Sequence, residues 1–385
     1  MDPDRFTDLA PGKLVATVGG TVAFVPAPLQ PTLDISPSAV SLLDQASNAL
    51  GMLSGIGSLL PNPHLLIAPY LRREAVLSSR IEGTQSTIAD VYAAEAGQTQ
   101  LFRDAEDVGE VQNYVRAHEF GLRRLSDLPL SLRLIRELHE HLMQGVRGAN
   151  QTPGQFRRSQ NFIAPPGTAI TDAIYVPPPP SEMKQGLEEL ERFLHDRTLP
   201  PLVQAALVHY QFEAIHPFRD GNGRVGRLLV SLFLCERGLL PQPLFYLSAY
   251  FERTRTAYYD LLMRVSTHGD WDTWVRYFLE GVRTQAIEAV EDTQRLLTLR
   301  EHYRSSLVAS KARPAAVQLL DRLFVNPYIT AKEVATRLQV SDPTARAAIS
   351  DLLGQGVLVE VSGRKWGRVF LAAELLSALR GHDDI

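Results

Sequence analysis

The residues best equipped for chemistry lie in one run of twelve: His216-Pro217-Phe218-Arg219-Asp220-Gly221-Asn222-Gly223-Arg224-Val225-Gly226-Arg227. The run holds one imidazole, one carboxylate, three guanidinium groups and three glycines. An imidazole whose ordinary pKa lies near neutrality suits a general base. A carboxylate beside a glycine turn suits Mg²⁺, which is held by one or two carboxylates and by substrate phosphates. Gly221 and Gly223 let the backbone take positive φ and come close to a ligand. Amides at a helix start point outward and favour an anion. Arg224 and Arg227 are three apart and share a helix face, and their planar forks match phosphate oxygens. The chemistry implied is the binding of a polyphosphate with Mg²⁺ and the removal of a proton from a second reactant.

Two helices must position these groups. An apolar period runs up to the motif through Leu202, Ala205, Ala206, Val208, Phe212 and Ile215, and another leaves it through Leu228, Leu229, Leu232, Phe233 and Leu234. The stretch therefore reads as helix, tight turn, helix, with the polar groups at the turn. Further upstream, Ser78 and Glu82 are four apart and so share a helix face. Gly83 follows as a C′ terminator of that helix.

His216 to Arg227 resembles the signature of the Fic (Fido) domain family, H-x-F-x-[DE]-G-N-G-R-x-x-R, at every fixed position. The resemblance implies AMP transfer from ATP to a hydroxyl of a target protein, a nucleotidyltransferase reaction. His216 would deprotonate the hydroxyl and Asp220 would hold Mg²⁺. Gly221, Asn222, Gly223, Arg224, Val225, Gly226 and Arg227 would line the ATP phosphates, with Arg227 on the γ-phosphate. Arg219 falls at a free position and receives no role. Ser78-x-x-x-Glu82-Gly83 is similar to the family's inhibitory pattern, [ST]-x-x-x-E-[GN], which implies that Glu82 pairs with Arg227 and holds the enzyme off. The Pro- and Gly-rich stretch 151–180 stands where the family has a β-hairpin flap that pairs with the target's backbone. Asn161, Phe162, Ile163 and Ala164 would be its active edge. Tyr258 and Tyr259 stand where the family often has tyrosines near the adenine. Adjacent helical residues lie about 100° apart, so both cannot face one ligand squarely.

Composition sets the outer limits. A chain of 385 residues should hold two or three domains, and 45% apolar with 21% charged residues is ordinary for a globular protein. A net charge of −4 gives no global basic field for nucleic acid. The single cysteine, Cys235, excludes an intrachain disulfide and a cysteine-based zinc cluster. The acidic start, Met1-Asp2-Pro3-Asp4, is unlike a signal peptide, and no apolar run approaches the roughly 20 residues that span a bilayer. A cytoplasmic protein without membrane association is the expectation.

Along the chain, Lys13 to Pro26 predicts two small strands, and Pro26 to Pro37 a linker or docking strap. Helices follow from Ser38, with Ser36 or Ser38 as N-cap, and from about His64 to Glu82, kinked or restarted at Pro69. The pattern predicts further helices over 86–96, 105–125, 131–145 and 181–197. His139 and His141 face different sides and make a poor metal pair. A hairpin is expected over 156–176, before the polyproline stop Pro177 to Pro180. One helix is expected from Leu247 to Val265, and a long one from Asp272 to about Leu299 or beyond, which suits a strut or a homodimer element. After Ser306 come a helix at 314–324, a second opened by the capping box Thr330/Glu333, a third at 342–353, and a ribbon made of Val357–Val361 and Trp366–Leu371. That order resembles a winged helix. Arg346 is the one base-reading cation of its third helix. DNA binding is therefore less favoured than protein docking.

The fold expected is mainly α: a Fic-type helical core with a β-hairpin flap and a small C-terminal winged-helix α+β domain. The domains expected are 1–120 with the inhibitory motif, 121–300 as the catalytic core and 309–378 as the tail. The expected activity is protein adenylylation on Ser, Thr or Tyr. Its rivals are a nucleotide-sensing, DNA-binding regulator and the reverse reaction, removal of AMP; an intact His216 favours an enzyme over a sensor.

Overall fold

A computed structural model describes residues 1–30, 34–59, 64–98, 104–240 and 243–380. Within them the chain is mainly helical with two small antiparallel sheets, as the apolar periods imply. β1 (Gly12–Ala16) and β2 (Val22–Pro26) form a hairpin in which Lys13 lies opposite Val25. Phe24 of β2 is fully buried, and its N–H donates to Val176 O at 2.9 Å, which seats the hairpin on the core.

Among the described residues, five helices precede the flap region: α1 (Pro37–Leu59), α2 (His64–Ile81), α3 (Ile88–Glu95), α4 (Ala105–Arg124) and α5 (Leu132–Leu142). Ser36 Oγ accepts the Ala39 N–H at 3.2 Å, so Ser36 opens α1. α2 runs through Pro69 without a new start. Thr87 caps α3 in a capping box with Asp90. The next helices are α6 (Pro180–Leu194), α7 (Pro201–Ile215), α8 (Asn222–Glu236), α9 (Ser248–Arg253), α10 (Arg255–His268) and α11 (Trp271–Ala309). The single helix expected over 247–265 is two, divided at Thr254, whose backbone leaves the helical region at φ −114° and ψ 31°.

α7 is the centre of the packing. It is buried on almost every side, which is why it is apolar all round rather than striped. α8 packs beside it, and α11 crosses it with the fully buried Trp274, whose Nε1–H donates to Ala206 O at 2.9 Å. α11 has 39 residues and, at 1.5 Å per residue, is roughly 58 Å long. α1 lies along it.

The tail contains α12 (Pro314–Leu323), β3 (Tyr328–Thr330), α13 (Ala331–Leu338), α14 (Asp342–Gly354), β4 (Val359–Glu360), β5 (Val369–Leu371) and α15 (Ala373–Arg380). Its sheet has the order β3-β5-β4. Strand β3 and helix α15 were not foreseen from the sequence. α15 packs on both α11 and α2, and Asn326 Nδ2 donates to Tyr92 O of α3 at 3.1 Å, so the tail is docked on the N-terminal helices. No helix among the described residues is long and apolar enough to cross a membrane.

Candidate functional site

The loop between α7 and α8 is held by its own residues. α7 ends at His216, which takes the left-handed conformation (φ 49°) while its N–H still donates to Phe212 O at 3.0 Å. Gly221 (φ 76°) starts α8 in the same left-handed region, where a glycine carries no penalty. The Asn222 side chain closes the loop: Oδ1 accepts the Phe218 N–H at 2.8 Å and Nδ2 donates to Phe218 O at 2.9 Å. Phe218 is buried and stacks on His139, with ring centroids 3.8 Å apart. His139 Nδ1 accepts the Gly154 N–H at 2.9 Å, so Nε2 carries the proton and donates to Asp220 O at 3.0 Å. His139, a poor metal ligand by its spacing from His141, is thus a prop under the loop.

Two readings of the loop's phosphate-lining residues need correction. Gly223 lies inside α8 and has no positive φ; what it provides is space, since a Cβ there would sit 2.2 Å from Glu82 Oε1. Val225 does not line a phosphate site. Its side chain is fully buried in the core and its N–H is spent on Gly221 O at 3.0 Å. Gly226 lets α8 lie close to α7, because a Cβ would meet Glu213 Oε1 at 2.3 Å.

His216 is not the near-neutral group that its type implies. Burial, and then the positive charge of Arg157, push it down to about 4. It is therefore neutral at pH 7. Its Nδ1 lies 3.3 Å from Glu213 O, and with the proton there Nε2 keeps a free lone pair. The Glu213 carboxyl is pushed up to about 8 by burial, which makes it neutral as well.

Asp220 is 44% exposed, and its Oδ1 accepts the Gly221 N–H at 2.6 Å. As a half-exposed, hard oxygen donor at the start of α8, it fits a Mg²⁺ ion held mainly by phosphates and water. The described residues contain no cluster of three His, Cys, Asp or Glu that would hold a metal unaided.

The two motif arginines face different partners. Arg227, 2% exposed, donates from Nε to Ser78 Oγ at 2.8 Å and from Nη2 to Ser78 O at 2.9 Å and Glu82 Oε1 at 2.7 Å. Burial pushes the Glu82 carboxyl up, but the charge and hydrogen bond of Arg227 outweigh it, and the net shift is downward. Glu82 is 33% exposed and lies on Gly223, so its carboxylate occupies the anion-favouring start of α8. Gly83 ends the segment at φ 106°, as expected of a terminator. Arg224 is instead buried in an ion pair with Glu110 at 2.8 Å, and Glu110 also takes Arg147 at 2.9 Å. Glu110 was missed because its link to Arg224 joins helices that are far apart in sequence.

The flap is smaller than expected. The hairpin over 156–176 reduces to one antiparallel bridge, Ile163 to Tyr175, in which the Ile163 N–H donates to Tyr175 O at 2.8 Å. Residues 165–172 turn instead of extending, with a short 3₁₀ segment at Ile170–Asp172. Phe162 and Ile163 are exposed, Ala164 is half-buried, and Asn161 Nδ2 donates to Phe218 O at 2.9 Å, which ties this edge to the loop. Arg157, which falls within the expected hairpin, is buried beneath the loop. Tyr258 is core: its OH bonds His209 Nε2 at 2.9 Å, so it is closed to a ligand. Tyr259 is 43% exposed, and near enough to Glu82 and Arg227 to feel both charges.

The profile of the Fic/DOC family N-terminal domain matches residues 40–123, and that of the Fic/DOC family matches residues 129–234. The protein adenylyltransferase Fic of Drosophila melanogaster is 27% identical over 208 residues, which are 52% of this chain and 38% of that protein. Its counterpart in Drosophila erecta is 28% identical over the same shares. The match thus spans less than half the length of these relatives. A Fic family protein from Desulfovibrio desulfuricans G20 superposes with a TM-score of 0.57 at 21% identity, covering 89% of this chain and 98% of that one. Residues 134–508 of Fic-1 from C. elegans give 0.50 at 21%, covering 67% and 75%. Both share the fold.

Proposed function

The chain belongs to the Fic/DOC family, and from that premise we propose that it is a protein adenylyltransferase held off by Glu82. The observation that carries the reading is His216, its Nδ1 turned to Glu213 O, standing one short loop from the anion-favouring start of α8. In the reaction, the oxygen of a target hydroxyl attacks the α-phosphorus of ATP. Its proton passes to His216 Nε2, the Pα–O–Pβ bond breaks, and pyrophosphate leaves with the electron pair. The α8 amides and Arg227 neutralise the charge on the phosphates. Mg²⁺, when bound to Asp220 and the phosphates, would withdraw further charge from the leaving group. The exposed Phe162-Ile163 edge supports docking of the target's backbone beside the flap, and Tyr259 supports contact with the adenine side.

Glu82 opposes this reaction in two ways. It takes the Arg227 fork that a phosphate needs, and it lies against Gly223 where a phosphate would sit. Ser78 holds the same arginine from one turn back. For the tail we propose a winged-helix-like module that docks protein, either a partner or a second copy, rather than DNA. A cytoplasmic setting fits an ATP-dependent reaction.

The test is incubation of Glu82→Gly with Mg²⁺ and ATP, in parallel with GTP, CTP and UTP, followed by intact-mass analysis of the protein and of a cell lysate supplied with labelled nucleotide. Transfer of a nucleotidyl group, with ATP preferred, is expected. Absence of transfer to any protein from all four nucleotides would contradict the reading.

A further inference from the structure

We propose that Arg157 is a positioning residue for the proton-accepting imidazole: it grips the end of α7 and the first residues of the loop, and so holds His216 in its left-handed backbone. The proposal rests on the reading of His216 as the base.

Arg157 is 1% exposed, and every partner of its side chain is a carbonyl. Nε donates to His216 O at 3.0 Å, Nη1 to Ser159 O at 3.2 Å, and Nη2 to Pro178 O and to Ile215 O, the latter at 3.4 Å. No carboxylate among the described residues forms an ion pair with it. A guanidinium removed from water without a counter-ion is costly. A packing role would be met at lower cost by an apolar side chain of similar volume.

The partners explain the need for a guanidinium. The carbonyls of Ile215 and His216 belong to the end of α7, where the last carbonyls lack helical partners and carry partial negative charge. At His216 the backbone turns left-handed, and the Nε–Nη2 edge of one planar fork meets both oxygens, a two-point contact that a single ammonium does not reproduce. The Arg157 main-chain N–H adds Pro217 O at 2.9 Å, and Asn161 Nδ2 adds Phe218 O at 2.9 Å. Four consecutive carbonyls, 215 to 218, accept from Arg157 and Asn161, the last of them from Asn222 Nδ2 as well. A non-glycine residue stays in the left-handed region only where its surroundings over-determine it. The same grip sets the ring, whose Nδ1 faces Glu213 O and leaves Nε2 open. Arg157 itself touches no reacting atom.

The test uses the full chain with Glu82→Gly, which frees the site for ATP. Arg157→Lys keeps the charge but loses the planar fork that meets both carbonyls. The expected result is a kcat for AMP transfer that falls on the order of a hundredfold, as a misplacement of about 1 Å would cause, with KM for ATP unchanged. Adding Arg157→Lys to His216→Ala should cause no further loss. Asn161→Ala, at a half-buried site that tolerates truncation, should lower kcat to a lesser degree with KM again unchanged; it decides the matter if Arg157→Lys does not fold. A crystal structure of Arg157→Lys is expected to show His216 out of the left-handed region. Parent kcat in both variants, or equal losses of ATP binding and kcat, would overturn the proposal. Full activity of His216→Ala would instead overturn the base assignment beneath it, whatever the two loop variants do.

Discussion

At the scale of the residue, the electrostatics of two groups set expectations for the reaction. A base must be neutral to accept a proton, and His216 has a folded pKa pushed down to about 4 by burial and by Arg157. A depressed pKa keeps the imidazole neutral from neutral pH down toward 4. In Glu82→Gly, kcat/KM for ATP should therefore show no acid limb near the ordinary histidine value of about 6.5, and should fall only as pH approaches 4. A limb near 6.5 in a pH–rate profile would show that His216 is solvated like a free histidine. Glu82 and Arg227 set the second expectation. A charge-assisted hydrogen bond is worth about 1.5–3 kcal/mol, the lower end suiting a carboxylate that is one-third exposed. Glu82→Gly should then raise AMP transfer on the order of tenfold to a hundredfold. Arg227→Ala added to it should remove the gain, as a transfer assay on the double variant would read. The identities of His216, Asp220, Glu82 and Arg227 were legible in the sequence because twelve contiguous residues and one helix turn carry them. The environment was not: the lowered pKa of His216 depends on burial and on Arg157, and the occupation of Arg224 depends on Glu110, none of them neighbours in the chain.

At the scale of the element, α7 and α8 position the loop, and the C-terminal end of α2 lies against it. α2 is fixed from both sides. Arg73 pairs with Asp292 of α11 at 2.7 Å, Tyr70 OH donates to Ala289 O at 2.9 Å, and Tyr114 OH of α4 donates to Glu74 Oε1 at 2.9 Å. Ser78 is the nearest of these holds to the site, and its Oγ accepts from Arg227 Nε. Ser78→Ala leaves that N–H without a partner in a buried place, at a cost of about 1–3 kcal/mol. The expected outcome is a partial gain in AMP transfer, smaller than that of Glu82→Gly, measurable in the same assay. α7 depends on Trp274 of α11. Trp274→Ala should lower the unfolding free energy by about 3–5 kcal/mol, measured by denaturant titration. The long helices were readable from their apolar periods. The flap was not, because Pro and Gly left residues 156–176 without a clear period, and Arg157 turns inward to carbonyls instead of lying on a strand face.

At the scale of the whole molecule, the tail packs on α2, the helix whose end meets the loop. α15 packs on α2, and Asn326 Nδ2 reaches Tyr92 O across 234 residues of sequence, while its Oδ1 accepts the Tyr328 N–H at 2.8 Å. Asn326→Ala should weaken this docking by about 1–3 kcal/mol, and hydrogen exchange of the α3 amides should rise. Neither α15 nor this docking was readable in advance, since a contact between remote segments leaves no local period. The reading as a whole turns on whether His216 carries out the transfer once Glu82 is removed. The most direct measurement is the intact mass of Glu82→Gly after incubation with Mg²⁺ and ATP, beside Glu82→Gly/His216→Ala treated alike. An added AMP on the first protein and none on the second is the expected result. An equal mass increase on both would contradict it.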